Sequence, residues 1–166
     1  MKFHDAINMM KKLIQLTLTL LAFAATAAHA GPSEDAANKL LDGFHSAASK
    51  AQLNEYFAAF TPDGEFIGTD ATERWTVEQF KAYAKPHFDK GRGWTYTVVE
   101  RHLNVSADGK HASFDELLDN ASLGRYRGTG VLRMIDGQWR VEQYHLTIPV
   151  PNELAAEVVK RIREKK

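Results

Sequence analysis

The sequence predicts an α+β protein in which N-terminal helices pack on one face of a curved antiparallel sheet. Apolar residues recur at helical spacing through the first half of the chain, whereas the second half alternates and is rich in β-branched and aromatic residues. In addition, Asp136-Gly137 supplies the positive φ angles of a two-residue hairpin turn between two long segments of strand character. These observations fix the fold class and the order of its elements.

Length and composition fit one ordinary globular domain. The chain has 166 residues, of which 44% are hydrophobic and 25% charged, and its formal net charge is zero. We therefore expect no nucleic-acid partner. The chain has no cysteine, so it can form neither a disulfide nor a lipid attachment through cysteine.

The first thirty residues predict a secretory signal peptide. Two lysines precede an uncharged apolar run over residues 13–28, and Ala28-His29-Ala30 fits the small-x-small rule of signal peptidase. We expect cleavage between Ala30 and Gly31, a single domain over residues 31–166, and a periplasmic or secreted protein without membrane contact. An uncleaved membrane anchor is the alternative.

Three helices are predicted before the strands. Ser33 fits the N-cap of the first, whose apolar stripe is Ala37, Leu40, Leu41, Phe44 and Ala48. The second is shorter, and the turn residues 61–64 should close it before a short strand over residues 65–69. Thr76 and Gln79 form a capping box for the third, whose inward residues should extend to His87 or Phe88 before Pro86 and the loop of residues 91–93 end it.

Four long antiparallel strands and a last helix complete the prediction. The strands span residues 94–105, 111–122, 125–135 and 138–149, and the helix begins at Asn152 after two prolines. Basic residues crowd this helix near its C-terminal end. We expect them to complement the helix dipole and to remain solvated, with an anionic partner as the alternative.

The final hairpin predicts a pocket. A two-residue turn pairs Met134 with Trp139 and Leu132 with Val141, and further from the turn the same register pairs Gly130 with Gln143 and Gly128 with His145. All eight residues would then share one face. Two glycines opposite polar side chains indicate an open space with a polar floor.

The ordered set of elements resembles a known family. The segment from Phe66 to Trp75 (FIGTDATERW) before the third helix and the segment from Asp136 to Val141 (DGQWRV) in the final hairpin are similar to the SnoaL-like branch of the NTF2-like superfamily. This resemblance implies a cone-shaped α+β barrel with a pocket between helices and sheet, and often a homodimer. The superfamily contains polyketide cyclases, ketosteroid isomerases, dehydratases and epoxide hydrolases as well as non-catalytic binding modules, so the fold does not select a function.

Three ionisable residues are candidates for chemistry. His145 would face the pocket and could act as a base or a hydrogen-bond donor, or be a core histidine bonded to a neighbour. Glu116 follows Ala112 and Phe114 by alternation, so it should point inward and have a raised pKa, although a bulge would exchange it for Asp115. Asp70, with Glu73, should lie near the pocket mouth, where it could orient a ligand or cap a turn.

The remaining predicted ligand contacts are largely aromatic. They are Trp75, Trp94, Tyr96 and Phe114, together with Gly128, Gly130 and Gln143 of the hairpin. We expect neither a cofactor nor a metal, because His102 and His111 have no third ligand at a recognisable spacing. The aromatic side chains favour an apolar or aromatic ligand.

Three functions remain open from the sequence. The first is an exported SnoaL-like domain that binds a small, largely apolar molecule. The second is a cofactor-free isomerase, cyclase or dehydratase with Glu116 or Asp70 as base and His145 or Tyr96 stabilising an oxyanion. The third is a dimeric accessory protein. A homodimer should form through the convex sheet face, where Val131, Tyr144, Leu146 and Ile148 are expected.

Overall fold

A computed structural model describes residues 34–165 of the chain. The predicted signal peptide and the N-cap Ser33 lie outside this range. The described elements, in chain order, are helices α1 (Glu34–Ser49) and α2 (Leu53–Ala58), strands β1 (Phe60–Ile67) and β2 (Arg74–Thr76), helix α3 (Val77–Phe88), strands β3 (Thr97–Val105), β4 (His111–Asn120), β5 (Gly124–Ile135) and β6 (Gln138–Thr147), a 3-10 turn (Asn152–Leu154) and helix α4 (Ala155–Glu164). The predicted α+β class is confirmed.

The six strands form one curved, open sheet in the order β2-β1-β6-β5-β4-β3. It is mixed rather than antiparallel, because β1 runs parallel to β6 whereas the other neighbours are antiparallel. The expected turn at residues 61–64 instead lies within β1, where the pairing with β6 is interrupted between Phe60 and Glu65. Helix α3 has the predicted capping box of Thr76 and Gln79, contains Pro86 in its last turn and ends at Phe88, which is buried, before the predicted loop of residues 91–93.

A bulge in β6 changes the predicted register of the final hairpin. The pairs Met134–Trp139 and Leu132–Val141 form as expected, but Val131 pairs with Gln143, which leaves Glu142 as an additional residue on β6. As a result Gly130 pairs with Tyr144, Gly128 with Leu146 and Thr129 with His145. The predicted pairs Gly130–Gln143 and Gly128–His145 are therefore wrong, since one extra residue exchanges the two faces of a strand.

The core lies between the helices and the concave face of the sheet. Helix α1 contributes Ala37, Leu41, Phe44 and Ala48, and β4 contributes Ala112, Phe114 and Leu118 in strict alternation. Because of the bulge, Tyr144 and Leu146 are also buried in this core. Tyr144 and Leu146, two of the four apolar residues expected on the convex face, are therefore absent from it. The homodimer stays a prediction, and the convex face offers less apolar surface for it than expected.

Within residues 34–165, no helix is long and apolar enough to cross a membrane.

Candidate functional site

A cavity of about 210 Å³ lies between the helices and the concave face of the sheet. Aromatic side chains form most of its wall, including the predicted Trp75, Trp94 and Tyr96. The polar wall residues include His45 on α1 and Glu73 in the loop before β2. The cavity is smaller than the roughly 300 Å³ at which pockets for drug-sized ligands begin, so it suits a small molecule.

One side of the cavity is a set of nearly parallel rings. The centroids of Phe66 and Phe80 are 3.9 Å apart at an interplanar angle of 14°, and those of Trp75 and Phe80 are 5.6 Å apart at 9°. Tyr144 continues the set, with its ring 5.9 Å from Phe66 at 4°. Because offset parallel rings attract one another, the stacking holds these side chains in place along the wall.

Behind the wall lies a buried polar cluster centred on Glu116, which has no exposed surface. The Nε2 of His45 is 2.7 Å from Glu116 Oε1, and the hydroxyl of Tyr144 donates to the same oxygen over 2.7 Å. Arg101 donates from Nε to Oε2 over 2.8 Å. The Nη1 of Arg101 donates in turn to exposed Asp42 on α1 over 2.8 Å.

Gly128 makes room for this cluster. It pairs with Glu116 across β4 and β5, and a Cβ at this position would lie closer than 3.0 Å to the hydroxyl of Tyr144. Gly130 has a similar role, because its Cβ would lie closer than 3.0 Å to the ring of Phe114 and to the backbone oxygen of Gln143. The glycines therefore accommodate buried aromatic rings and do not open a pocket floor.

The partners of Glu116 determine its ionisation. Burial raises the pKa of this carboxyl, but the hydrogen bonds from His45, Tyr144 and Arg101, together with the charge attraction of His45, outweigh burial and hold the pKa below its ordinary value. The expected raised pKa is therefore wrong. For Tyr144, burial and the neighbouring negative charge of Glu116 raise the pKa well above its ordinary value, so its hydroxyl keeps its proton.

The other predicted site residues lie away from the cavity wall. His145 and Gln143 pair with Thr129 and Val131, half-buried on the opposite face from Tyr144. Phe114 is buried, with its ring 5.8 Å from that of Tyr144. Asp115 lies half-buried on the other face of β4, so the preference for Glu116 as the inward carboxylate is confirmed.

Asp70 caps a turn. Its Oδ1 accepts hydrogen bonds from the backbone N–H of Thr72 over 2.9 Å and from the hydroxyl of Thr72 over 2.7 Å, and these bonds lower the pKa of Asp70. Asp70 is exposed, and its neighbour Thr69 lies on the cavity wall. The turn-capping alternative thus accounts for the geometry of this carboxylate.

Sequence reasoning missed three members of the cluster. His45 follows Leu41 by four residues, so the helical spacing that identified the stripe of α1 also placed this histidine on the inner face. Arg101 alternates with Leu103 and Val105 on β3. No sequence pattern indicated that Tyr144 points inward, because its orientation depends on the bulge in β6.

Among residues 34–165, no group of three His, Cys, Asp or Glu side chains could hold a metal ion.

Fold and site together define an α+β domain that encloses an aromatic cavity beside a buried histidine–carboxylate pair. The model of the SnoaL-like domain family matches residues 37–151. Because this match covers more than half of the chain, the protein belongs to the SnoaL-like family of NTF2-like domains. No curated protein matches the chain.

Solved structures show the same fold. An NTF2-like protein of unknown function from Pseudomonas putida KT2440 superposes with a TM-score of 0.62 at 15% identity, covering 72% of this chain and 89% of that one. A putative dehydratase of the NTF2-like family from Streptomyces avermitilis gives 0.60 at 10% identity, with 70% and 96% covered. A putative scytalone dehydratase from Novosphingobium aromaticivorans gives 0.57 at 12%, with 70% and 83% covered. At these identities the similarity concerns the fold alone.

Proposed function

We propose that this protein binds a small, flat, largely apolar molecule in the cavity, with His45 accepting a hydrogen bond from a hydroxyl of that molecule. One observation supports this most directly: His45 lies on a largely aromatic wall and is fixed from behind by Glu116. A largely apolar wall with a few fixed polar groups is the usual design of a small-molecule pocket.

The ring geometry supports a flat ligand. Phe66, Phe80 and Trp75 are stacked with nearly parallel planes, so a planar molecule can extend the stack by placing its face against an outer ring. A puckered molecule of equal volume would touch the same wall with fewer atoms. A cavity of about 210 Å³ suits one or two fused rings.

The hydrogen-bond roles support a hydroxyl on the ligand. The low pKa of Glu116 keeps it ionised at neutral pH, and an ionised carboxylate only accepts hydrogen bonds. His45 must therefore donate from Nε2. The proposal concerns the neutral imidazole, which exerts no charge attraction on Glu116, while the hydrogen bonds from Tyr144 and Arg101 still favour the ionised carboxylate. In that state the other nitrogen, Nδ1, is an acceptor, and no described residue donates to it.

Calorimetric titration with 2-naphthol, naphthalene and decahydro-2-naphthol tests the proposal. We expect 2-naphthol to bind about tenfold more tightly than either of the other two, since one lacks the hydroxyl and the other the flat rings. His45→Gln should remove most of the difference between 2-naphthol and naphthalene. His102→Gln, a change of an exposed histidine on β3, is the matched control and should not. Equal binding of all three compounds would contradict the proposal.

Proton transfer by His45 is a second candidate function, favoured by the histidine–carboxylate pair itself. If Nδ1 takes a proton from a bound substrate, ionised Glu116 stabilises the resulting imidazolium. In this scheme Glu116 is a positioning residue, because its oxygens already accept from His45, Tyr144 and Arg101. Dehydration, the reaction in the names of two of the similar structures, requires such a base.

A flat substrate that needs only a base distinguishes catalysis from binding. We expect the protein to accelerate ring opening of 5-nitrobenzisoxazole, and His45→Gln to lower the rate at least a hundredfold, the usual contribution of a positioned base. The rate of His102→Gln should match that of the unmodified protein. If His45→Gln retains the full rate, His45 is not the base and binding alone remains.

A further inference from the structure

The exposed apolar surface of the described domain is concentrated near its C-terminal end. Eight large hydrophobic side chains are exposed within residues 34–165, and five of them lie between residues 148 and 162: Ile148, Val150, Leu154, Val159 and Ile162. Ile162 is 60% exposed. Apolar side chains gathered in one segment indicate an interaction surface, whereas scattered ones need no explanation.

Helix α4 is amphipathic, with basic side chains beside its apolar face. Leu154, Val158 and Ile162 follow one another at intervals of four residues, which places them in one row, with Val159 beside them. At 100° per residue, Arg161 and Arg163 flank this apolar face and Lys165 follows at the end of the row. Arg161 also pairs with Glu157, whereas Lys160 lies on the opposite side of the helix and pairs with Glu164. Neither the 3-10 turn nor α4 has a buried residue.

This helix is an addition to the family domain, whose match ends at residue 151. Its charge is also opposite to that of the domain. Residues 152–166 include five basic and three acidic residues, whereas residues 34–151 include 13 basic and 17 acidic ones. The helix therefore does not complete the core, and its composition suits a separate, negatively charged surface.

We propose that α4 is an interfacial helix that binds an anionic phospholipid bilayer. Its apolar row enters the boundary between headgroups and acyl chains, while Arg161, Arg163 and Lys165 lie among the lipid phosphates. A helix of ten residues without tertiary packing is marginally stable in water, so the bilayer supplies the apolar contacts that α4 lacks. This proposal departs from the expectation that the exported chain has no membrane contact.

Vesicle sedimentation of the form beginning at Gly31, which retains the whole described domain, tests the proposal. We expect binding to vesicles of phosphatidylcholine and phosphatidylglycerol in equal parts, little binding to phosphatidylcholine alone, and loss of binding at high salt. Arg163→Gln combined with Lys165→Gln should weaken binding roughly thirtyfold, since each charge near an anionic surface contributes about fivefold. Ile162→Asp should weaken binding at least tenfold.

Matched variants elsewhere on the domain serve as controls. Leu123→Ser removes an exposed apolar side chain from the turn between β4 and β5, and Lys50→Gln with Lys90→Gln removes two exposed charges. Both should bind anionic vesicles as the unmodified protein does. Absence of binding to anionic vesicles, or equal losses in test and control variants, would overturn the proposal. The proposal would also be overturned if the unmodified protein did not bind vesicles and Ile162→Asp converted a dimer to a monomer. That result would assign the apolar face of α4 to contact with a second copy of the chain.

Discussion

Replacing Glu116 by Gln should lower the free energy of unfolding by about 3–5 kcal/mol at pH 7, the usual cost of removing one partner of a buried ion pair. Arg101 would remain buried, with 8% of its side chain exposed, and would face a neutral amide. In the Glu116→Gln variant an NH₂ group would also replace one of the two carboxylate oxygens. Oε1 accepts hydrogen bonds from His45 and Tyr144, and Oε2 accepts one from Arg101, so either replacement removes an acceptor. Urea denaturation of both proteins measures the difference.

Asp119→Asn is the matched control. Asp119 also accepts a hydrogen bond from an arginine, Arg125, but about half of each side chain is exposed. Exposed ion pairs contribute about 0–1 kcal/mol, so this variant should be nearly as stable as the unmodified protein. A similar loss in both variants would show that burial does not determine the contribution of Glu116.

The loss in free energy of unfolding caused by Glu116→Gln should be smaller in acid than at pH 7. The pKa of Glu116 in the folded protein lies below its ordinary value of 4.5, so its ionised form contributes stability above pH 4.5. That contribution is lost as the pH falls through the folded-state pKa. Other carboxylates with lowered pKa values, such as Asp63 and Asp108, affect both proteins equally. A difference in stability that is the same at pH 7 and pH 3 would mean that folding does not lower the pKa of Glu116, and one that grows in acid would mean that folding raises it.

Gly128→Ala should destabilise the protein by about 2–3 kcal/mol, near the upper end for an overpacked core. The new methyl group would overlap the hydroxyl of Tyr144. Tyr144 cannot easily move away, because its ring packs against Phe44, Phe66 and Phe114. Thermal and urea denaturation measure the loss.

A double-mutant cycle shows whether the Tyr144 hydroxyl is the cause. In a Tyr144→Phe background, Gly128→Ala should cost at least about 1 kcal/mol less, because the overlapping oxygen is absent. Gly43→Ala on α1 is the control for the substitution itself. No atom lies within 4 Å of its new Cβ, so it should stabilise the helix by about 0.5–1 kcal/mol. Additive costs in the cycle would contradict the proposed role of Gly128.

The candidate site was only partly predictable from the sequence. Alternation along β4 identified Glu116 as the inward carboxylate, and the predicted aromatic residues Trp75, Trp94 and Tyr96 lie on the cavity wall as expected. His145 was placed on the wrong face, because nothing in the local pattern of β6 shows the bulge at Glu142. The pKa of Glu116 was predicted in the wrong direction, since burial was visible in the pattern and the three donors were not.

The sequence by itself determined the α+β class, the capping box of α3, the hairpin turn at Asp136-Gly137 and the inward orientation of Glu116. These features depend on local spacing and on backbone preferences of neighbouring residues. Only the tertiary structure decided which side chains meet at Glu116. His45 is 71 residues away along the chain, and Tyr144 reaches the cluster only because one extra residue in β6 turns it inward. Such contacts depend on register and on packing between distant elements, which local sequence patterns do not specify.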